Sequence, residues 1–504
     1  MSVPERVDTV VIGGGPAGLT AAHILVRRQP GGAVVIEQDR QVGGIARTVE
    51  YRGYRFDIGG HRFFTKARVV QQLWRAMLGS EMLTRPRLSR IYYHGRFFDY
   101  PLRPVNALLG LGPINAVLIL ASYIWVRVRP IRPEVSFEDW VSNRFGRRLY
   151  ETFFKTYTEK VWGIPCHKIG AQWAAQRIKG LSLFTAVKNM LFGRFQRSGN
   201  QQIKTLIEEF EYPRLGPGMM WEAFERDIRE RGGDVRLDTA VVGLTHRDGQ
   251  VTGVEVEGPG GRSLLAPERV LSTMPLRQLV LGLSPAAPEH VRQAAARLNY
   301  RDFLTVALII DAVDLFPDNW IYVHDPGVKL GRIQNFKNWS PEMVPDPART
   351  CLGLEYFCFE GDGLWTMSDA DLIALGEREL ETIGLLGGAR VLDGAVLRVP
   401  KAYPVYDEGF MDALAVVRDY LAGFSNLQVA GRNGMHKYNN QDHSMVTAML
   451  AVQNLVGAAR SDVWAVNADD EYHEEAGLDL ADVDVDLEAL ERSQPLVPPA
   501  LTRS

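Results

Sequence analysis

Two neighbouring stretches near the start, "DTVVIGGGPAGLTAAHILVRR" and "AVVIEQ", constrain this chain more than any others. The first reads as a strand, a tight turn and a helix. The second reads as the next strand, so together they make a βαβ unit. Gly13, Gly15 and Gly18 form a GxGxxG pattern, and Gly18 lies 19 residues before Glu37. Gly13 makes the turn, Gly15 lets a pyrophosphate approach the backbone, and Gly18 packs the helix on the strand. The helix N-terminus then holds phosphate, and Glu37, ending its strand, accepts ribose hydroxyls. With strand, helix and acid all in place, the pattern predicts a dinucleotide-binding α/β domain of the doubly wound type.

The remaining signals shape the organisation. The chain has 504 residues, enough for two or three domains, and a net charge of -3, which excludes a strong electrostatic case for nucleic acid. Cys166, Cys351 and Cys358 form no CxxC pair and no metal-ligand cluster, so no metal is expected and a reducing, cytoplasmic setting is. The N-terminus enters a strand at once, without a signal-peptide pattern. The expected dinucleotide-binding domain is discontinuous, built from residues 1–100, 205–294 and 396–462. A helical substrate or lid domain is expected over 101–204 and a substrate-domain sheet over 295–395, because alternating strands such as "FLTVALIID" fall there. Residues 463–504 read as an acidic, Pro-containing tail.

One stretch pulls against a simple soluble reading. From Val105 to Val126 there is no charged residue. Its strongest part, Ile114 to Val126, is shorter than the about 20 residues a span needs. A buried or interfacial helix is expected. Arg127, Arg129 and Arg132 follow, so residues 114–132 are also read as a peripheral membrane contact.

After Glu37 a second glycine pair (Gly43, Gly44) is followed by an arginine, and a third pair (Gly59, Gly60) by His61. The extended glycine pattern resembles the FAD fingerprint of glutathione-reductase-like and amine-oxidase-like flavoproteins. "YRGYRFDIGGHRFFTK", "IYYHGRFFDYPL", "YTEKVWG", "AAQRIKG", "KLGRIQNF", "GLEYF" and "KAYPVYDEG" follow in order. Taken together, these stretches resemble the UDP-galactopyranose mutase family, related in fold to amine and protoporphyrinogen oxidases. The family's second histidine is Phe64 here, His436 stands where a tyrosine is usual, and "NNQDH" replaces a shorter pattern.

That resemblance implies a ring contraction without net redox. Reduced flavin attacks the anomeric carbon of a nucleotide sugar through N5 and displaces the nucleoside diphosphate; the sugar opens, recloses on another hydroxyl and regains the diphosphate. The implied substrate is a UDP, GDP or dTDP hexose, the cofactor FAD, with NAD(P)H as a reductant and a homodimer left open. Arg177 and Arg332 are the implied diphosphate clamps, since a planar guanidinium bonds phosphate bidentately. Tyr157 and Trp162 would stack on the base, Tyr356 and Tyr403 would bond phosphates or sugar, and Asp407 a sugar hydroxyl. His61 would sit by the flavin ring.

"GRNGMHKYNNQDHSM", between the last strand and last helix, reads as a flavin cradle. Arg432 is expected at the phosphate or ribityl side. Asn440, Gln441, Asp442 and His443 are expected at the ring edge, with Asp442 or Ser444 capping the helix. His436 and Tyr438 would reach the substrate. The competing expectation is an oxidoreductase of the same fold, acting on an amine, a porphyrinogen or an apolar substrate; the apolar stretch and Phe64 favour it.

Overall fold

The protein was analysed as a computed structural model that describes residues 4–100, 106, 110–171, 209–457 and 460–466. It is a mixed α/β structure built on two large sheets. In the first, strands Asp234–Arg236, Ala33–Ile36, Glu5–Ile12 and Gly261–Ser272 lie side by side in parallel, and Leu427–Val429 pairs with Gly261–Ser272 in parallel. Strands Ala240–Arg247 and Gln250–Gly258 extend it as an antiparallel meander. Residues 9–12 and 33–36 are buried almost throughout, as strands covered on both faces must be. Helices Pro16–Arg28, Gly218–Glu230 and Gln441–Val456 supply much of that cover, burying Leu19, Trp221, Phe224 and Met445 in one core.

The parallel strands end at Ile12, Ile36, Ser272 and Val429, and their carboxyl ends open toward one cleft. That is where open α/β sheets place ligands, because the backbone there turns away and leaves a crevice.

The second sheet has seven strands. Val391–Pro404, Tyr300–Ile310, Thr350–Cys358, Arg332–Asn335 and Trp320–Val323 are successive antiparallel neighbours; Ser89–Tyr93 joins Trp320–Val323 in parallel and Arg96–Asp99 closes the edge. Hairpin 89–99 therefore belongs to this sheet rather than to the first, and strand Val391–Pro404 crosses the boundary expected at 395. Because side chains alternate across a strand, one face carries Leu304, Val306, Leu354 and Tyr356 against helix Asp369–Thr382. The other carries Phe303, Trp320, Tyr322, Arg332, Gln334 and Glu355.

A helical module follows the hairpin: Pro113–Val128, Phe137–Phe145, a π-helical turn Tyr150–Lys155 and Thr156–Trp162. Phe98, Phe137, Trp140, Phe153 and Trp162 form its core. No helix among the described residues is long and apolar enough to cross a membrane. Of the tail, only the short turn Val463–Ala465 and its flanks are described.

Candidate active site

The site is two cavities that meet. The larger, of about 660 Å³, runs over the carboxyl ends of the parallel strands. Its floor is glycine backbone. Gly13 has φ +100°, and a Cβ there would lie 2.2 Å from Thr273 Oγ1. A Cβ on Gly18 would lie 1.8 Å from the Gly13 carbonyl, so the helix comes this close to the turn only because Gly18 lacks a side chain. The Gly44 loop closes on Gly15: a Cβ at Gly44 would approach Gly15 Cα at 3.3 Å. The Gly43 N–H donates to the Gly14 carbonyl at 2.8 Å, and Gly431 (φ +80°) passes against Ala17 from the other side.

Glu37 closes one end. Its Oε2 accepts from the Gly14 N–H at 2.6 Å and its Oε1 from the Asp39 N–H at 2.9 Å. Burial pushes its carboxyl above the usual range, and these two N–H groups pull the other way. Thr239, Val241 and Val242 line this end; Gly44, Ile45, His61, Arg432, Asn439 and Gln441 line the other. A helix N-terminus in the middle, two side-chain-free approaches and an acid at the ribose position fit an FAD dinucleotide. Gly13, Gly15, Gly44 and Glu37 line this cleft, and Gly18 packs the helix on the turn that precedes it.

The smaller cavity, of about 190 Å³, lies against the second sheet. Ile45, His61, Arg432 and Gln441 line both cavities, so this quartet is the junction. Gly60 also lines it, and a Cβ there would meet Gln334 Nε2 at 3.0 Å. The aromatic wall is Phe64, Phe303, Trp320, Tyr322, Trp339, Tyr403 and Tyr438. Tyr403 and Tyr438 stack, with centroids 5.6 Å apart and planes at 14°. The Arg432 guanidinium lies over Tyr438 at 4.7 Å and Tyr403 at 5.4 Å, and donates to the Asn439 and Ala402 carbonyls at 2.9 and 3.1 Å. It is thus held between the cofactor cleft and the second cavity.

Arg332 enters from the sheet. Its Nε pairs with Glu355 Oε2 at 2.5 Å and its Nη2 donates to the Tyr403 hydroxyl at 2.9 Å. Burial is the largest single influence on the Arg332 pKa and would lower it; the Glu355 carboxylate, with Tyr403, Tyr157 and Tyr438 adding to it, outweighs burial and holds it well above its ordinary value. Gln334 Nε2 donates to the other Glu355 oxygen at 2.7 Å. His61 Nδ1 is 3.2 Å from the Gly59 carbonyl, so Nδ1 carries the proton and Nε2 is left as an acceptor. Burial, with Arg432 and Arg332 nearby, lowers its pKa to about 3 and keeps the ring neutral.

Several residues expected at a ligand lie outside both cavity linings. Tyr356 lies on the opposite face of its strand, fully buried among Leu304, Val306 and Leu354, because the period-2 pleat turns Glu355 rather than Tyr356 toward the cavity. His436 is 1% exposed and sits edge-on to Tyr300 at 4.9 Å, in the core behind the cradle. Asp407 Oδ2 accepts from Asn299 Nδ2 at 3.1 Å, outside both cavity linings.

The "YTEKVWG" aromatics back the pocket instead of lining it. Tyr157 stacks on His324 at 4.5 Å, and Trp162 stacks on Tyr406 with its edge toward Tyr403. The last helix is capped by Asn440, whose N–H donates to His443 Nδ1 at 3.3 Å, and not by Asp442 or Ser444. Asn440, Gln441, Asp442 and His443 all line the second cavity, and Gln441 reaches the first as well. Arg177 lies outside the described residues. Glu355 and Gln334 were missed; the alternation of "GLEYF" against "GRIQNF" carried that signal once the strands were paired.

Comparisons with known proteins agree with this frame. Residues 16–393 match the family model described as flavin containing amine oxidoreductase. Protoporphyrinogen oxidase 1, chloroplastic, of Arabidopsis thaliana is 23% identical over 464 residues, spanning 84% of this chain and 83% of that one. Inactive all-trans-retinol 13,14-reductase of Danio rerio is 46% identical over only 57 residues, 11% of this chain and 9% of that protein. Among solved structures, reduced UDP-galactopyranose mutase superposes with a TM-score of 0.77 at 20% identity, covering 93% of this chain and 97% of that one. A putative protoporphyrinogen oxidase from Exiguobacterium sp. 255-15 gives 0.66 at 19% identity, covering 90% and 99%. Glycine-built cleft, acid-closed ribose end and family match lead to one conclusion: the chain belongs to the flavin-containing amine oxidoreductase family.

Proposed function

We propose that this flavoenzyme acts on a nucleotide sugar as a pyranose–furanose mutase. The observation that carries the reading is the Arg432–Tyr403–Tyr438–Arg332 cluster, which reaches from the junction at Arg432 into the smaller cavity. Two guanidiniums and two phenols converge there on a small polar pocket, a donor set suited to phosphate and hydroxyl oxygens.

The chemistry that bound FAD supplies is electron transfer or, in its reduced state, a nucleophilic ring nitrogen. Gly13, Gly15, Gly44 and Glu37 would hold the dinucleotide, and Gln441 and His61 would meet its ring end. Arg432 offsets negative charge between cofactor and substrate. The Tyr403 hydroxyl accepts from Arg332, which leaves its own proton for a ligand oxygen. Neutral His61 offers Nε2 to a ligand hydroxyl. Trp320, Trp339, Phe303 and Phe64 exclude water from this end. Arg177, the second clamp that the resemblance implies, is addressed by Arg177→Ala, which should lower turnover by orders of magnitude with flavin still bound.

A second reading is an oxidoreductase of the protoporphyrinogen oxidase type. Two observations favour it: the relative that spans most of the chain, and Glu355, which neutralises Arg332 and weakens it as a phosphate clamp. One experiment separates the two. The flavin is reduced anaerobically with dithionite, or with NAD(P)H, and the protein is given UDP-, GDP- and dTDP-hexoses. Turnover only in the reduced state, without net flavin oxidation, supports the mutase. Failure across the panel, with oxygen consumed on an amine or a porphyrinogen, selects the oxidoreductase.

A further inference from the structure

Helix Pro113–Val128 is apolar along most of its surface, with Asn115, Ser122 and Arg127 as its only polar side chains, and a helix of that kind is stable in a folded protein when its apolar faces are covered. Only one is. Ile119 and Val126 are buried, and Ala116 and Tyr123 pack on the core of Phe98, Trp140 and Phe145. The opposite face carries Ile114, Val117, Leu118, Ile124, Trp125 and Val128. Ile114 is 76% exposed, Trp125 62% and Val128 71%. Their spacing of three, four, ten, eleven and fourteen residues from Ile114 puts them on a single stripe. Ile131 and Val135 continue it, both exposed. A contiguous apolar surface of this size on the outside of a protein marks a contact.

The charges around the stripe say with what. Arg127, Arg129 and Arg132 stand exposed at its C-terminal end, and no acidic residue occurs between Asp99 and Glu134. Trp125 lies beside them, with the Arg129 guanidinium 5.3 Å from its ring centroid. Indole next to arginine at the edge of an apolar stripe is the composition that settles at headgroup depth, ring in the acyl boundary and cation among phosphates. A second copy is a poorer fit: a self-complementary contact through this stripe would offer the arginines no carboxylate from the same stretch. The helix has 16 residues and no described helix is long and apolar enough to span, so the contact is with a surface.

We propose that the outer face of Pro113–Val128, with Arg127, Arg129 and Arg132, docks the protein on a membrane leaflet that carries anionic lipid. The stripe is the back of the module whose core reaches Tyr403 and Tyr438, so docking would set the second cavity at a fixed height above the bilayer.

The test uses the full-length, flavin-loaded protein and sedimenting vesicles of phosphatidylcholine, alone or mixed with phosphatidylglycerol. The protein should pellet with the mixed vesicles at low salt and be released at high salt. The double variant Ile124→Asp/Trp125→Asp should bind at least about tenfold more weakly. Arg127→Glu/Arg129→Glu should fall to the level seen with phosphatidylcholine alone. All four positions are exposed, so both variants should keep the parent's flavin spectrum and melting temperature. The proposal is overturned if the parent ignores mixed vesicles, or if the Asp variant binds as the parent does. It is equally overturned if the parent is a dimer that the Asp variant splits while neither touches vesicles.

Discussion

The cofactor cleft and the sheet pocket share four lining residues, yet they are made differently. The cleft is made of backbone: positive-φ glycines, helix N–H groups and close approaches that any Cβ would block. The pocket is made of side chains from the second sheet, the loop around His61 and the segment before the last helix, placed largely by strand register and stacking. Backbone sites tolerate almost no change at a few positions. Side-chain sites can exchange their chemistry while the scaffold stays, which is how one fold hosts both mutases and oxidases.

That contrast can be broken most sharply at Gly18. Gly18→Ala puts a Cβ 1.8 Å from the Gly13 carbonyl, where only backbone could yield. We expect little or no soluble holoprotein, read by flavin absorbance of the purified fraction. Recovery of normal flavin content would show that the cleft is less rigid than its geometry implies.

Arg332→Ala comes next. It leaves the Glu355 carboxylate buried without its cation, which typically costs about 3–5 kcal/mol. Urea denaturation should show that loss, and Arg332→Ala/Glu355→Gln should recover part of it. If Arg332→Ala abolishes turnover at unchanged stability, the guanidinium acts on ligand rather than on Glu355.

The third test is pH. Burial lowers the pKa of His324 to about 3 and of His436 to about 4. Their folded values lie below the unfolded value, so between those limits the unfolded chain binds more protons. Stability from these groups is complete above about pH 6.5 and lost as pH falls, by about 1–2 kcal/mol each at pH 5. Melting temperature should therefore drop from pH 7 to pH 5, and less steeply in His436→Gln. An unchanged slope in that variant removes His436 from the account.

The smallest effects sharpen the pocket's outline. Tyr403→Phe removes the hydroxyl that Arg332 bonds and should weaken substrate binding about fivefold to tenfold, near 1 kcal/mol. Tyr356→Phe, one strand face away, should leave binding unchanged to within about twofold. Equal effects from the two would mean that the wall assignment is wrong.

Much of the cleft was legible in the sequence because its requirements are local. Gly13, Gly15, Gly18 and Glu37 lie within one βαβ unit, where spacing alone places phosphate and ribose contacts. That the stretch from Gly431 to His443 joins a strand end to a helix start beside the cleft was legible for the same reason, although His436 and the helix cap within it were not. The pocket was not. Whether Glu355 or Tyr356 lies on the cavity side of the sheet turns on a single step of strand parity, which the pairing of Arg332 with Glu355 settles. Tyr157 and Trp162 look like ligand platforms in isolation, and only packing against His324 and Tyr406 makes them the layer behind. Asn440 rather than Asp442 caps the last helix because the helix starts two residues earlier than composition suggested.

The sequence by itself determined that this chain builds a dinucleotide cleft, since glycine's missing side chain and the ribose acid act over a few residues. Tertiary structure alone decided what faces that cleft. Arg332, Gln334, Glu355 and Tyr403 meet Tyr438 and Arg432 through contacts between residues far apart in the chain, and the direction of each side chain is set by register and close packing.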